Sequence, residues 1–597
     1  MWLFHCKKIT PIFAAFSILI THNGYSQKYF QQQVNYVIDV SLDDNNHELR
    51  AHETIIYKNN SPNTLNFIYI HLWPNAYKNN STVLAKQLIA EGNTALYYSS
   101  EEERGYIDGL DFKVNEDGVK WELLKDTIDV CKLFLNSPLV SGDSIIISTP
   151  FKVKLPSAKI SRLGHIGQSY QITQWYPKPA VFDKDGWHYM PYLNQGEFYS
   201  EFGSFDVRIT LPDNYVLGAT GDMIDAEHEL DWLNKKVEET KQISSFDTAD
   251  MDFPPSSSTN KTLRFVQNNV HDFAWFCDKR YHVLKGKSIT PYSNNQVTTW
   301  AFFTNAQAHL WKKSINYMND AIYYYSLWNG DYPYKNCYAV DGTIAAGGGM
   351  EYPNITIIGS AHSAFYLDHV ITHEIGHNWF YGMLGSNERM HPWMDEGMNS
   401  FNDNRYLETL YPDQKLLGDM ANSKISRLLD LSDYKHKWEN ELYYLLNAVK
   451  GEDQALNLPA EEFTSLNYGG MVYSKSALAF DYLMAYVGEQ NMDNVMQAYF
   501  DEWKFKHPQP EDFRKVVQGE LRGDLNWFFD DLLSTNKKLD YKIVFVFQYE
   551  DESWDVGIKN VGDITAPIFL HGIKNGKVVT KVMHSGIANK GVIGVPP

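Results

Sequence analysis

The hydrophobic rhythm of this chain changes twice. Over residues 27–287, segments rich in β-branched and aromatic residues recur at 36–42, 53–57, 65–72, 144–149 and 205–211, and these predict strands. Turn clusters separate them, such as Asp43-Asp44-Asn45-Asn46 and Asn59-Asn60-Ser61-Pro62. The run Pro254-Pro255-Ser256-Ser257-Ser258 reads as a loop or hairpin tip, because strand-like sequence resumes at Leu263. Over residues 288–536 the apolar spacing turns helical. Helices are predicted at 306–328, 368–384, 474–487, 493–503, 510–521 and 524–533, with Gly488 and Pro508 as punctuation. A short strand is expected at 356–358. Past Leu539 the pattern alternates again, with strands expected at 541–547, 554–559, 568–571 and 578–582. That tail is short for a complete sandwich and reads as a small β module. The expected organisation is therefore α+β and multidomain: residues 27–287, 288–538 and 539–597.

The N-terminus predicts a secretory signal over residues 1–26. Lys7 and Lys8 precede an apolar run at 9–20, which is short for a bilayer span, and Gly24 and Ser26 place small residues before a cut at Gln27. The expected location is secreted or periplasmic, with no integral membrane segment after cleavage. The remaining cysteines, Cys131, Cys277 and Cys337, lie far apart and lack zinc-ligand spacing. At 597 residues and 44% hydrophobic, the chain is long enough for several cores. Its formal charge of −20 argues against nucleic acid as a partner.

The chemistry concentrates in His373-Glu374-Ile375-Gly376-His377. On a helix, residues i and i+4 share a face, so His373 and His377 can close on one metal ion. Glu374 stands between them, in the position of a general base. Glu396 opens the next helical pattern and can supply a third ligand, leaving a fourth position open for water. His369 also lies four residues from His373, but only the His373–His377 pair brackets a glutamate. His391 reads as a loop histidine.

Three further segments, together with this one, resemble the aminopeptidase N family, gluzincins that include leukotriene hydrolase-type members. Gly348-Gly349-Met350-Glu351-Tyr352 is similar to the family's exopeptidase motif. Tyr468-Gly-Gly-Met-Val-Tyr473-Ser-Lys475 resembles the segment that carries its catalytic tyrosine. Gln174-Trp175-Tyr176-Pro177 resembles the stretch that lines the entrance to its site. The resemblance implies an N-terminal β-rich, saddle-like domain, a thermolysin-like, mostly α catalytic domain, and one Zn2+ per chain on His373, His377 and Glu396. It implies that Glu351 binds a substrate's α-amino group, with Gly348, Gly349, Met350 and Gln168 lining the same subsite, and that Tyr473 stabilises the oxyanion. The expected activity is a zinc aminopeptidase cutting peptides with a free N-terminus through a metal-activated water. The alternatives are an endopeptidase or epoxide hydrolase on the same site, or an inactive secreted binding protein. Tyr352 and Asp395 stand where the family usually has asparagine. The β tail replaces a long helical domain, leaving a less roofed site.

Overall fold

The computed structural model describes residues 29–342, 347–428, 430–575 and 577–596. The expected signal segment lies outside the described residues. In the N-terminal region a nine-stranded sheet is built on three long strands: Gln33–Asp43, Glu48–Lys58 and Ser144–Lys154. The first two form an antiparallel hairpin, with Val40 opposite Ala51. His47, at the turn, adopts the left-handed backbone region that tight turns require. In Gln33–Asp43, Val34, Tyr36, Ile38, Val40 and Leu42 are buried while their neighbours are more exposed, so period two translates directly into one core face. Smaller sheets pack beneath it, one ordered Gly164–Ile166, Ser169–Ile172, Trp275–Asp278, Val216–Ala219. Within this β region the helix Glu227–Gln242 was not expected; it buries Leu233 and Val237 in a cluster with Val283 and Trp300.

A five-stranded sheet carries the next region, in the order His282–Ile289, Gln296–Phe303, Asn336–Asp341, Ile355–Ile358, Gly349–Tyr352. The expected boundary at 287–288 thus falls inside a strand. Gly349–Tyr352 is the edge strand, paired antiparallel with Ile355–Ile358. The long helix expected at 306–328 is broken into Ala308–Trp311 and Ser314–Asn329.

The helix expected at 368–384 runs instead over Ala364–Gly376. Ser363 caps its start, accepting the Tyr366 N–H at 3.1 Å. Past Gly376 the N–H groups of Asn378 and Trp379 turn to the carbonyls of Ile375 and Gly376, three residues back, and Tyr381 then takes a φ of 86°, which a continuing helix cannot hold. Trp379 and Phe380 continue the apolar pattern from a buried loop, which periodicity cannot tell from a helix. Helix Glu396–Leu410 starts where expected. Tyr468–Lys475 is a π-helical turn leading into Ser476–Val487. At the C-terminus, Tyr541–Gln548, Trp554–Asn560 and the unexpected strand Lys590–Val595 form one sheet, and Ile568–Lys574 pairs with Lys577–His584. Cys131, Cys277 and Cys337 are buried and free. Among the described residues no helix is long and apolar enough to cross a membrane.

Candidate metal centre

Helices Ala364–Gly376 and Glu396–Leu410 bring His373, His377 and Glu396 to one point. Glu396 Oε2 lies 3.4 Å from His373 Nε2 and 3.3 Å from His377 Nε2, and the two Nε2 atoms are 3.1 Å apart. His377 is one residue past the helix end but keeps helical backbone angles, with its N–H 3.3 Å from the His373 carbonyl. The i, i+4 geometry therefore survives the early termination.

The outer ring nitrogens define which atoms face inward. His377 Nδ1 is 2.7 Å from Asp395 Oδ1, and His373 Nδ1 is 2.6 Å from Asp403 Oδ2. Each ring donates through Nδ1 to a carboxylate, which leaves the Nε2 lone pair for a metal. The donor set fits zinc. Ligands about 2.0–2.1 Å from a tetrahedral ion lie roughly 3.3 Å from one another, as these three atoms do. Glu396 Oε2 is also buried without a hydrogen-bond donor, an orphan that a cation would satisfy.

Asp403 was missed from the sequence. Its signal was available: Glu396 and Asp403 are seven residues apart on one helix and so share a face. Asp395, one departure from the family's asparagine, backs His377. It is fully buried, and Glu388 sits near it with its Oε2 unpartnered. Burial, with the neighbouring Asp395 charge, holds the Glu388 carboxyl far above the usual carboxylate range. Tyr468 donates to Glu388 at 2.9 Å.

Glu374 faces the same cleft, and its Oε2 has no hydrogen-bond partner. Burial pushes its carboxyl up to about 7, against the pull of the two imidazoles. Gly349 lies directly against it, so a side chain there would displace the Glu374 carboxylate. Tyr473 donates to Glu396 Oε1, and burial followed by the Glu396 charge holds its phenol well above the ordinary tyrosine range.

The cleft has a volume of about 500 Å³. Gly348, Gly349, Met350 and Glu351 all line it. Glu351 is 5% exposed with Oε1 unpartnered, and burial holds its carboxyl far above the usual range. Beside Met350, Arg162 Nη1 grips both Glu197 oxygens at 2.7 Å and touches the Met350 Sδ at 3.3 Å. Arg162 and Glu197 also line the cleft and were not anticipated; they come from the N-terminal region, and no spacing rule links them to the metal motif.

Two expectations are overturned. Gln168 is not in the cleft: its amide donates to Asp44 at 3.1 Å, and Lys279 donates to its carbonyl. The segment Gln174–Pro177 does not line the entrance either. Trp175 and Tyr176 are buried in the N-terminal core, and Gln174 receives the Tyr352 hydroxyl at 3.3 Å. Tyr352, the other departure from the family's asparagine, packs against Phe276 and does not line the cleft.

The site is thus of the two-histidine, one-carboxylate metallohydrolase class. Residues 312–532 match the model described as Peptidase family M1 domain. This bears out the aminopeptidase N-like resemblance over that part of the chain. Among curated relatives, it is 22% identical over 230 residues to a leucyl aminopeptidase of Saccharolobus solfataricus, covering 38% of this chain and 27% of that one. It is 26% identical over 171 residues to aminopeptidase B of Rattus norvegicus, covering 28% and 24%. The chain therefore spans about a quarter of the length of these relatives. Its fold is similar to an M1 zinc metallopeptidase from Deinococcus radiodurans, with a TM-score of 0.53 at 13% identity over 85% of this chain and 95% of that one. It is also similar to Legionella pneumophila aminopeptidase A in complex with aspartic acid, with a TM-score of 0.61 at 12% identity over 96% and 58%.

Proposed function

We propose that this chain is a zinc-dependent aminopeptidase. The observation that carries the reading is Glu351, a buried carboxyl whose Oε1 has no partner, set at the ligand site and lining the cleft, where an arriving cation would favour its ionised form. A substrate ammonium would supply the missing cation, and a charge-assisted hydrogen bond is strong where water is excluded. His373, His377 and Glu396 would hold the metal. Zinc bound there supplies Lewis acidity, lowering the pKa of a water and stabilising developing oxyanion charge.

The remaining work falls to side chains. Glu374 takes the proton from the attacking water and delivers it to the leaving amine. Tyr473 donates its hydroxyl to the developing oxyanion. The edge strand Gly349–Tyr352 leaves one side unpaired among the described strands, so an extended substrate can lie beside it as a further strand. With Glu351 fixing the amino end, cleavage falls one residue in. Peptides with a free N-terminus are the proposed substrates, nucleic acid is not a partner, and export through residues 1–26 belongs to the same proposal.

The test compares free and amino-blocked peptides. The parent should cut only the free ones. Glu351→Ala should lower kcat/KM on free peptides by roughly a hundredfold. Equal cleavage of blocked and free peptides by the parent would overturn the reading.

A further inference from the structure

The helix Glu439–Ala448, on the rim of the cleft, is built inside out. Its one buried residue is Asn447, which donates to Asn467 at 2.9 Å. Asn440 likewise turns inward and donates to Asn404 at 2.9 Å. The leucines face out instead: Leu442, Leu445 and Leu446 are 41%, 43% and 48% exposed, and Val449, just past the helix end, is 73% exposed. A surface helix normally buries such a stripe, and exposed contiguous apolar area marks a binding face.

The position of the stripe says what it binds. Glu439, Asn440 and Tyr443 of the same helix line the cleft. Leu442 and Leu446 lie three residues on from Glu439 and Tyr443, so the stripe borders the cleft-lining edge without a gap. Across the cleft, the edge strand runs alongside the histidine helix. Gly348 approaches Tyr366, Gly349 approaches Glu374, and Glu351 interacts with His377. The amine-binding end is therefore the His377 end. Glu439 and Tyr443 neighbour Tyr366, at the opposite end. Three residues of extended chain separate Gly348 from Glu351, roughly 10 Å, so a peptide lying beside them meets the rim helix from about its third residue onward.

We infer that the substrates are peptides of about six residues or more, with apolar side chains at roughly the third to sixth positions lying across Leu442, Leu446 and Val449. The direction of the chain rests on the aminopeptidase reading. The apolar preference rests on the stripe. A second copy seated on the stripe would crowd the cleft mouth, whereas a peptide leaving the cleft meets it in line.

The test uses the zinc-loaded full chain carrying Glu374→Gln, so that peptides bind without being cut. Two labelled hexapeptides share their first two residues and carry either four leucines or four serines after them. Fluorescence anisotropy should show the leucine peptide binding about tenfold tighter. Adding Leu442→Ser and Leu446→Ser should remove that preference. The same pair of serines in the parental background should leave turnover of a small aminoacyl amide unchanged. Equal binding of the two peptides, or a preference that survives the double substitution, overturns the inference. So does a chain that sediments as a dimer and becomes monomeric in the double variant with its peptide preference intact. Absence of turnover on every aminoacyl amide would sink the aminopeptidase reading instead, while the anisotropy comparison would still decide the apolar stripe.

Discussion

The two ends of the cleft are made of different materials. At the His377 end charged groups are packed in the dry interior: Asp395 is fully buried, and Glu351, Glu388 and His377 are nearly so. Arg162 and Glu197 form a close pair there. At the Tyr366 end the wall is an exposed helix with leucines outside and asparagines inside. The difference teaches how one cleft can do two jobs. Electrostatic interactions gain strength where water is excluded, so the proposed chemistry and amine recognition fit the dry end. Apolar contact is non-directional and tolerates variety, so the open end suits a variable peptide tail.

The comparison can be broken most directly at the dry end. Glu374→Gln should retain zinc by metal analysis yet lose turnover by roughly a thousandfold, since a positioned base contributes about that much. Full activity in that variant would mean that the charged end does not perform the chemistry assigned to it. Asp403→Asn keeps the shape but weakens the acceptor for His373 Nδ1. Metal affinity, measured by competition with a chelator, should fall by about tenfold to a hundredfold. An unchanged affinity would show that the ring is oriented without its carboxylate.

The smallest effect concerns the interior beneath the open end. Asp481 meets Asn404, which in turn bonds Asn440 of the rim helix. Burial first, then the nearby Glu408 charge, pushes its carboxyl up to about 7. A raised acid favours the folded state at low pH, and that contribution is lost as pH rises through the folded value. Asp481→Asn should therefore stabilise the chain on the order of 2 kcal/mol at pH 8 and have little effect near pH 4, read from denaturant midpoints. A stabilisation independent of pH would remove the ionisation argument.

Much of the centre was legible because its logic is local. Helical spacing brackets Glu374 with His373 and His377, and the seven-residue interval on helix Glu396–Leu410 puts Asp403 on the same face as Glu396. The long N-terminal strands were legible for the same reason: period two maps onto a single buried face, as in Gln33–Asp43. The early end of the histidine helix was not, because Trp379 and Phe380 are buried whether helical or looped. Gln168 sits in the turn between strands Gly164–Ile166 and Ser169–Ile172, where Asp44 and Lys279 hold its amide, and those contacts come from distant segments that leave no local trace.

By itself, then, the sequence determined the ligand types, their interval, and the alternation that makes each sheet two-faced, since these depend only on the geometry of one helix or one strand. The tertiary structure alone decided that Asp395 backs His377, that Arg162 and Glu197 enter the cleft, and that Tyr352 turns away from it. It also decided which end of the cleft is dry. Those outcomes follow from how the five-stranded sheet, the N-terminal region and the helices pack together, and contacts between residues hundreds of positions apart leave no periodic trace in the chain.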